Sequence, residues 1–388
     1  MNRRPLLALA VAALIVGAGA IWVSFAGRPE RPAKADHRVL PALADSLDSV
    51  SEVRLSRADG AATTLQRRTG GWFVAQRNYP ADAAKLRSLL IELAGLRVVE
   101  QKTSDPAHYA TLGVEDENVA HSHSVRIDIV AGTHTWSLLL GRQAQPDGNY
   151  VRVSGSPAAL WARPRVEADP QPARWIQAQV LDIPADQVQH VAIHPLSGPS
   201  YWLAREPRGA PDFTLHGVPP GRKAGSNALI DAVGDVVARL TVEDVKERPS
   251  EPLEKASEAI FRTFDGLQIV VDGTRDPTSA WIRLNAAVDA DAAKRFALEQ
   301  KTSASESKSS AGGAGNKSAA SAAGANSASA AGAGKRNPAE EAAAINSRAQ
   351  AYEFQIPVYQ YDQIFRPLND LLTPVAEKAS ASTKPKGK

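Results

Sequence analysis

Residues 82–102 and 226–246 carry one pattern twice, and nothing else in the chain limits its fold as much. Shifted by 144 positions, Asp82 falls on Ser226, Leu86 on Ile230, Leu89 on Val233 and Leu93 on Val237. The same shift puts Leu96 on Leu240, Val98 on Val242 and Lys102 on Lys246. In the first copy Leu86, Leu89, Leu90, Leu93 and Leu96 have the spacing of one buried helix face behind Asp82 as N-cap. Short alternating runs precede it ("VSEVRLSR", "AATTLQRR", "GWFVAQR"), broken by turn signals at Asp59-Gly60 and Gly70-Gly71. More strands follow: "SVRIDIVAG", "HTWSLLLG", "NYVRVSG" and "ALWAR".

The second half repeats that succession. Val188 and Val191 in "ADQVQHVAIHP" stand like Val50 and Val53 in "LDSVSEVRLSR". Tyr150-Val151-Arg152-Val153 aligns with Trp281-Ile282-Arg283-Leu284. The expected fold is α+β: two tandem related units, at 46–183 and 184–375, each a mainly antiparallel sheet with one principal amphipathic helix. An Ala/Gly/Ser-rich stretch at about 300–340 reads as a disordered insertion in the second unit, because it holds too little apolar surface to offset its ordering entropy. "AYEFQIPVYQYDQIF" reads as a closing strand and "RPLNDLL" as a short helix, ahead of a basic tail at 376–388.

The N-terminus addresses location. After Arg3 and Arg4, the run from Leu6 to Gly27 holds no charge, and as a helix it spans roughly 30 Å, the hydrocarbon thickness of a bilayer. A cleaved signal peptide is the other reading, with Ala18-Gly19-Ala20 at the cut, but the apolar run continues past that point. The expected organisation is a transmembrane anchor at 1–27, a proline-rich stalk at 28–45, and the bulk of the chain on the far side of the membrane. With 45 basic and 42 acidic residues the net charge is +3, which gives no footprint for nucleic acid. The absence of cysteine excludes disulfides, thiolate metal sites and a lipid-bearing cysteine.

Taken in order, Trp72, Pro80-Ala81-Asp82, Tyr109 with Leu112-Gly113, Leu138–Gly141 and Tyr150-Val151-Arg152 resemble the unit pattern of the bacterial domain-of-unknown-function 4340 family. The resemblance runs from about Leu47 to Leu372, apart from the insertion. It departs at "VEDENVAHSHS", which lacks the family's proline, and in the second unit, which lacks a clear "Y..LG". It implies an envelope protein in the bacterial inner membrane, single-pass, with its bulk in the periplasm. The family's association with ABC transporters of the gliding-motility type makes a transporter complex the expected partner. No catalytic residue comes with the resemblance.

Individual constellations add little chemistry. His121, His123 and His134 would bind zinc only if strand pairing brought them together, and the stretch reads as a polar loop entering a strand. Gly221, Arg222, Lys223 and Gly225 precede a helix start, but the Walker spacing is missing and a turn with a Ser226 cap accounts for them. Ser305 and Lys308 match a Ser-x-x-Lys pattern inside the insertion, where nothing desolvates the lysine. Trp161 and Trp175 fit either a binding surface or anchors of a crossing segment. No catalytic, cofactor or metal residue is assigned. The expected function is a non-catalytic membrane-anchored accessory protein acting with an ABC transporter. A free-standing envelope module binding glycan or protein is the alternative, and a hydrolase ranks last.

Overall fold

A computed structural model describes residues 38–296, 298 and 337–373. The expected anchor, most of the stalk, most of the insertion and the basic tail lie outside these residues. Among the described residues no helix is long and apolar enough to cross a membrane. The architecture is α+β, dominated by antiparallel strands.

In chain order the first strands are β1 Val50–Ser56, β2 Ala62–Arg68, β3 Gly71–Val74 and β4 Tyr79–Pro80. Helix α1 Ala83–Ala94 leads to β5 Arg97–Thr103. Then come β6 Val125–Ala131, β7 His134–Ala144, β8 Gly148–Val153 and β9 Ala159–Arg163. The later strands begin with β10 Gln179–Leu181, β11 Val188–His194, β12 Tyr201–Ala204 and β13 Thr214–His216. Helix α2 Asn227–Gly234 precedes β14 Leu240–Thr241, β15 Asp244–Glu247, β16 Ser257–Thr263, β17 Leu267–Arg275 and β18 Ala280–Val288. Helix α3 Pro338–Ala349, β19 Tyr352–Ile356 and α4 Val358–Ile364 close the described chain.

The chain divides into two compact units, one of the residues up to Ala61 with Arg87–Ala168, the other of Ala62–Leu86 with the residues from Asp169 onward. In the first unit the strands lie in the order β1-β6-β7-β8-β9-β5. In the second, β11-β16-β17-β18-β19-β15 is the same order, strand for strand, and β12 and β13 extend the sheet beyond β11. Even the irregularities recur: β1–β6 shifts register between Val50 and Glu52, and β11–β16 between Val188 and His190. Residues 62–86 group with the second unit through side chains. Arg77 grips the Asp244 carboxylate at 2.7 and 2.8 Å, and Tyr352 Oη donates to the Asn78 carbonyl at 2.5 Å. Tyr79 is buried edge-on against Tyr352 and Phe354.

Helix α1 begins as its sequence demands, with Asp82 Oδ1 accepting from the Lys85 N–H at 2.9 Å. Leu86, Leu89, Leu90, Leu93 and Leu96 are all buried, as are Ile230, Val233, Val237 and Leu240 of the later copy. Ser226 holds the N-cap position of α2, but its hydroxyl makes no capping bond. That helix is also shorter than its pattern, giving way to a 3-10 turn at Val236–Arg239 before β14 and β15. The two glycines of the motif elements in the first unit meet. Gly113 ends the helical turn Tyr109–Leu112 at φ 70°, and a Cβ on Gly141 would lie 2.5 Å from the Leu112 carbonyl.

Three expectations need correction. The stalk does not extend to residue 45: Val39, Leu40 and Leu43 are buried, and Val39 N–H donates to Leu96 O at 2.8 Å. The closing strand stops at Ile356, because Pro357 removes a donor and opens α4. "RPLNDLL" does form a short helix, of the 3-10 type, at Leu368–Leu371. The insertion is ordered from Pro338: α3 starts at an Asn337 cap, and Asn346 bonds both the N–H and the carbonyl of Ala286, as a paired strand would.

Candidate functional site

Both units bury an arginine at the aligned position, and the second also buries Arg205 and Asp265 elsewhere. Arg152, on β8, donates from Nε to Val114 O at 2.9 Å and from Nη2 to Asp116 Oδ1 at 2.8 Å, with its guanidinium 4.6 Å from the Tyr109 ring centroid. Arg283, on β18, donates to Glu353 Oε1 at 2.7 Å and to Glu251 O at 2.7 Å. Lys246 reaches the other Glu353 oxygen at 2.9 Å. Burial alone would raise the Glu353 carboxyl, but the Lys246 and Arg283 hydrogen bonds outweigh it and hold it below the usual carboxylate range. These groups tie loops to sheets, and Tyr109, Asp116 and Arg152 also line a cavity of about 560 Å³ on the first unit.

A more open arrangement lies on the solvent face of the second unit's sheet. Alternation sends Val188, Val191, Ile193, Tyr201 and Leu203 into the core, and turns His190, Ala192, Trp202 and Ala204 outward. At one end of this face a cavity of about 390 Å³ is lined by His190, Glu206, Arg262, Asp289, Arg295 and Phe296, among others. His190 Nδ1 is buried without a hydrogen-bond partner. Burial, helped by the nearby Arg262 and His216, pushes its imidazole below the ordinary histidine value, against a smaller opposing pull from Glu206. A neutral imidazole, a guanidinium and carboxylates can hold a polar ligand by hydrogen bonds.

The residues singled out in the sequence fall elsewhere. His121 and His123 are exposed on the loop before β6. His134 pairs with Ala131 at the far end of the β6–β7 hairpin, roughly 20 Å away at strand rise. The three imidazoles are therefore not brought together, and among the described residues no group of three or more His, Asp or Glu is placed to hold a metal. Gly221 makes a turn in which Arg222 N–H donates to Pro219 O, and the following residues bond the segment at Leu371–Thr373. Ser305 and Lys308 lie outside the described residues. Trp175 is fully buried, with Nε1 donating to Asp169 O at 2.6 Å, so it is an anchor and not a surface. Trp161 is half-buried on β9 beneath the Lys102 ammonium, 5.2 Å from the ring centroid. Trp202 went unnoticed because it neighbours Tyr201, and only the register decides which of the two faces water.

No curated protein and no solved structure matches the chain. The family model described as a domain of unknown function, DUF4340, does match, from Trp72 in β3 to Ala259 in β16. Residues 72–259, which hold both of the motif glycines in contact, therefore match the DUF4340 family.

Proposed function

We propose that the protein is a non-catalytic, membrane-anchored envelope protein, built on a tandemly doubled scaffold and acting beside an ABC transporter. One observation carries the reading. The uncharged run from Leu6 to Gly27, behind Arg3 and Arg4, ends only ten or so residues before the chain enters its first sheet unit at Arg38. The folded body is thereby held close to the bilayer, with its bulk in the periplasm. The doubled scaffold is supported by the shared strand order and the shared register shift. The use of the buried arginines as loop ties favours a rigid scaffold over a catalyst. The transporter as partner rests on the family resemblance.

The test is photo-crosslinking of the full-length chain in intact cells, with mass spectrometry of what is attached. Recovery of the permease and ATPase subunits of an ABC transporter is expected. A membrane-bound chain that crosslinks to no transporter subunit would end this reading. A second reading, an envelope module that binds glycan or protein, is favoured by the 43 % exposure of Trp202 on an open sheet face.

A further inference from the structure

The open face of the second unit is ordered in rows by its strand register. The central row runs His216–Trp202–Ala192–Ile260–Val270 across β13, β12, β11, β16 and β17. His216 stacks parallel to Trp202, with ring centroids 5.3 Å apart, and so covers one side of the indole. On the other side the neighbour is an alanine. Trp202 and Ile260 therefore stand two strands apart, roughly 10 Å between backbones, with only the Ala192 methyl between them. That spacing leaves a slot about one ring thick, walled by an indole and an aliphatic side chain.

The rows on either side are polar and opposite in sign. One is His190–Arg262–Gln268, in which Arg262 Nε donates to Gln268 Oε1 at 3.0 Å and His190 Nδ1 has no partner. The other is His194–Glu258–Asp272, with the two carboxylates directly opposed across β16 and β17. A ring in the slot has donors along one edge and acceptors along the other. An anion would meet Glu258 and Asp272, and a cation would meet Arg262. A neutral ring bearing hydroxyls on both edges suits both, since each hydroxyl donates and accepts, while its C–H face lies on the indole.

The first unit supplies an internal control. Aligned through the shared register shift, Ala192 corresponds to Arg54 and Ile260 to Asp128. Asp128 is engaged by Arg126 at 3.0 Å and by the Ser137 hydroxyl, and Arg54 pairs with Glu52 at 3.1 Å. There the same place on the sheet carries paired charged side chains where the second unit has an alanine and an isoleucine.

We infer that the slot between Trp202 and Ile260 binds a neutral hexopyranose unit of a glycan. The inference rests on the binding-module reading and not on the transporter partnership, so a failed crosslink to a transporter leaves it standing, and a failed sugar titration leaves the partnership standing. The test is saturation-transfer NMR on the full-length chain in a sugar-free zwitterionic detergent, with maltose, cellobiose and N,N′-diacetylchitobiose as probes. At least one should receive saturation on its ring C–H protons. Trp202→Ala should weaken that binding about tenfold or more. The double variant Ala192→Arg with Ile260→Asp, which installs the first unit's residues on an exposed face, should abolish it while circular dichroism stays unchanged. Three silent probes would overturn the inference. So would binding that survives both variants, or a phenylalanine-bearing peptide that occupies the slot when the sugars do not.

Discussion

Arg152 and Arg283 occupy the same position on equivalent strands, yet their charges are met in opposite ways. Arg283 is neutralised inside the protein, by a Glu353 carboxylate that is 3 % exposed and shared with Lys246. Arg152 is equally buried, but its carboxylate partner Asp116 is 58 % exposed, and the inner contacts are a carbonyl and the Tyr109 ring. The backbone asks for a buried cation at this point of the sheet to collect the neighbouring loops. How that cation is balanced is left to residues far away in the sequence: 36 positions in one case and 70 in the other.

The difference is sharpest at the carboxylate. Glu353→Gln leaves Arg283 buried without its counter-charge, and such losses cost about 3–5 kcal/mol. Urea unfolding should show this at pH 7, and a loss below about 1 kcal/mol would make Glu353 no more important than a surface partner. The effect has a pH signature. Because the folded carboxyl titrates below its ordinary value, its contribution is complete above the unfolded value of about 4.3 and is lost as pH falls through the lower folded value. The wild type should therefore lose stability across that acid window, and the Gln variant should be flatter there.

In the first unit the larger effect belongs to the cation itself. Arg152→Met keeps the side chain's bulk but leaves the Val114 carbonyl without its donor, at a cost of about 1–3 kcal/mol. Tyr109→Phe should cost less, about 0.5–1.5 kcal/mol, because the ring under Arg152 remains and only the 2.6 Å bond from Oη to Pro157 O is lost. Denaturant midpoints order the two. Should Tyr109→Phe cost as much as Arg152→Met, the hydroxyl and not the cation would be the tie that holds this loop.

The same contrast separates what could be read from the sequence from what could not. Helix α1 was legible because five leucines at helical spacing and an Asp82 cap are local facts, and the strand succession was legible because it is written twice. Ser226 imitates a cap by type and place, but its hydroxyl makes no capping bond. Helix α3 carries proper signals, an Asn337 cap with Pro338 next and Glu340 and Glu341 in the first turn, but they sit at the end of an alanine-rich stretch whose composition drowned them. Val39, Leu40 and Leu43 were hidden among prolines and charges, since three apolar residues show no period. Of the open face, the slot depends on which residues stand opposite each other across four strand pairings, and one sequence holds no record of that pairing.

The smallest expected effect is also the most discriminating. Asp116→Asn makes the same change of carboxylate to amide as Glu353→Gln, against an arginine that is just as buried, in a sheet with the same strand order. Water reaches Asp116, so the solvent already screens its attraction for Arg152, and the amide oxygen can still accept from Nη2. The expected loss is about 0–1 kcal/mol, the range of exposed pairs, and it should shrink further in salt. A loss approaching that of Glu353→Gln would mean that the Arg152 charge depends on this one carboxylate after all. The carbonyl and the ring would then be mere company, and the two arginines would be balanced by one device instead of two.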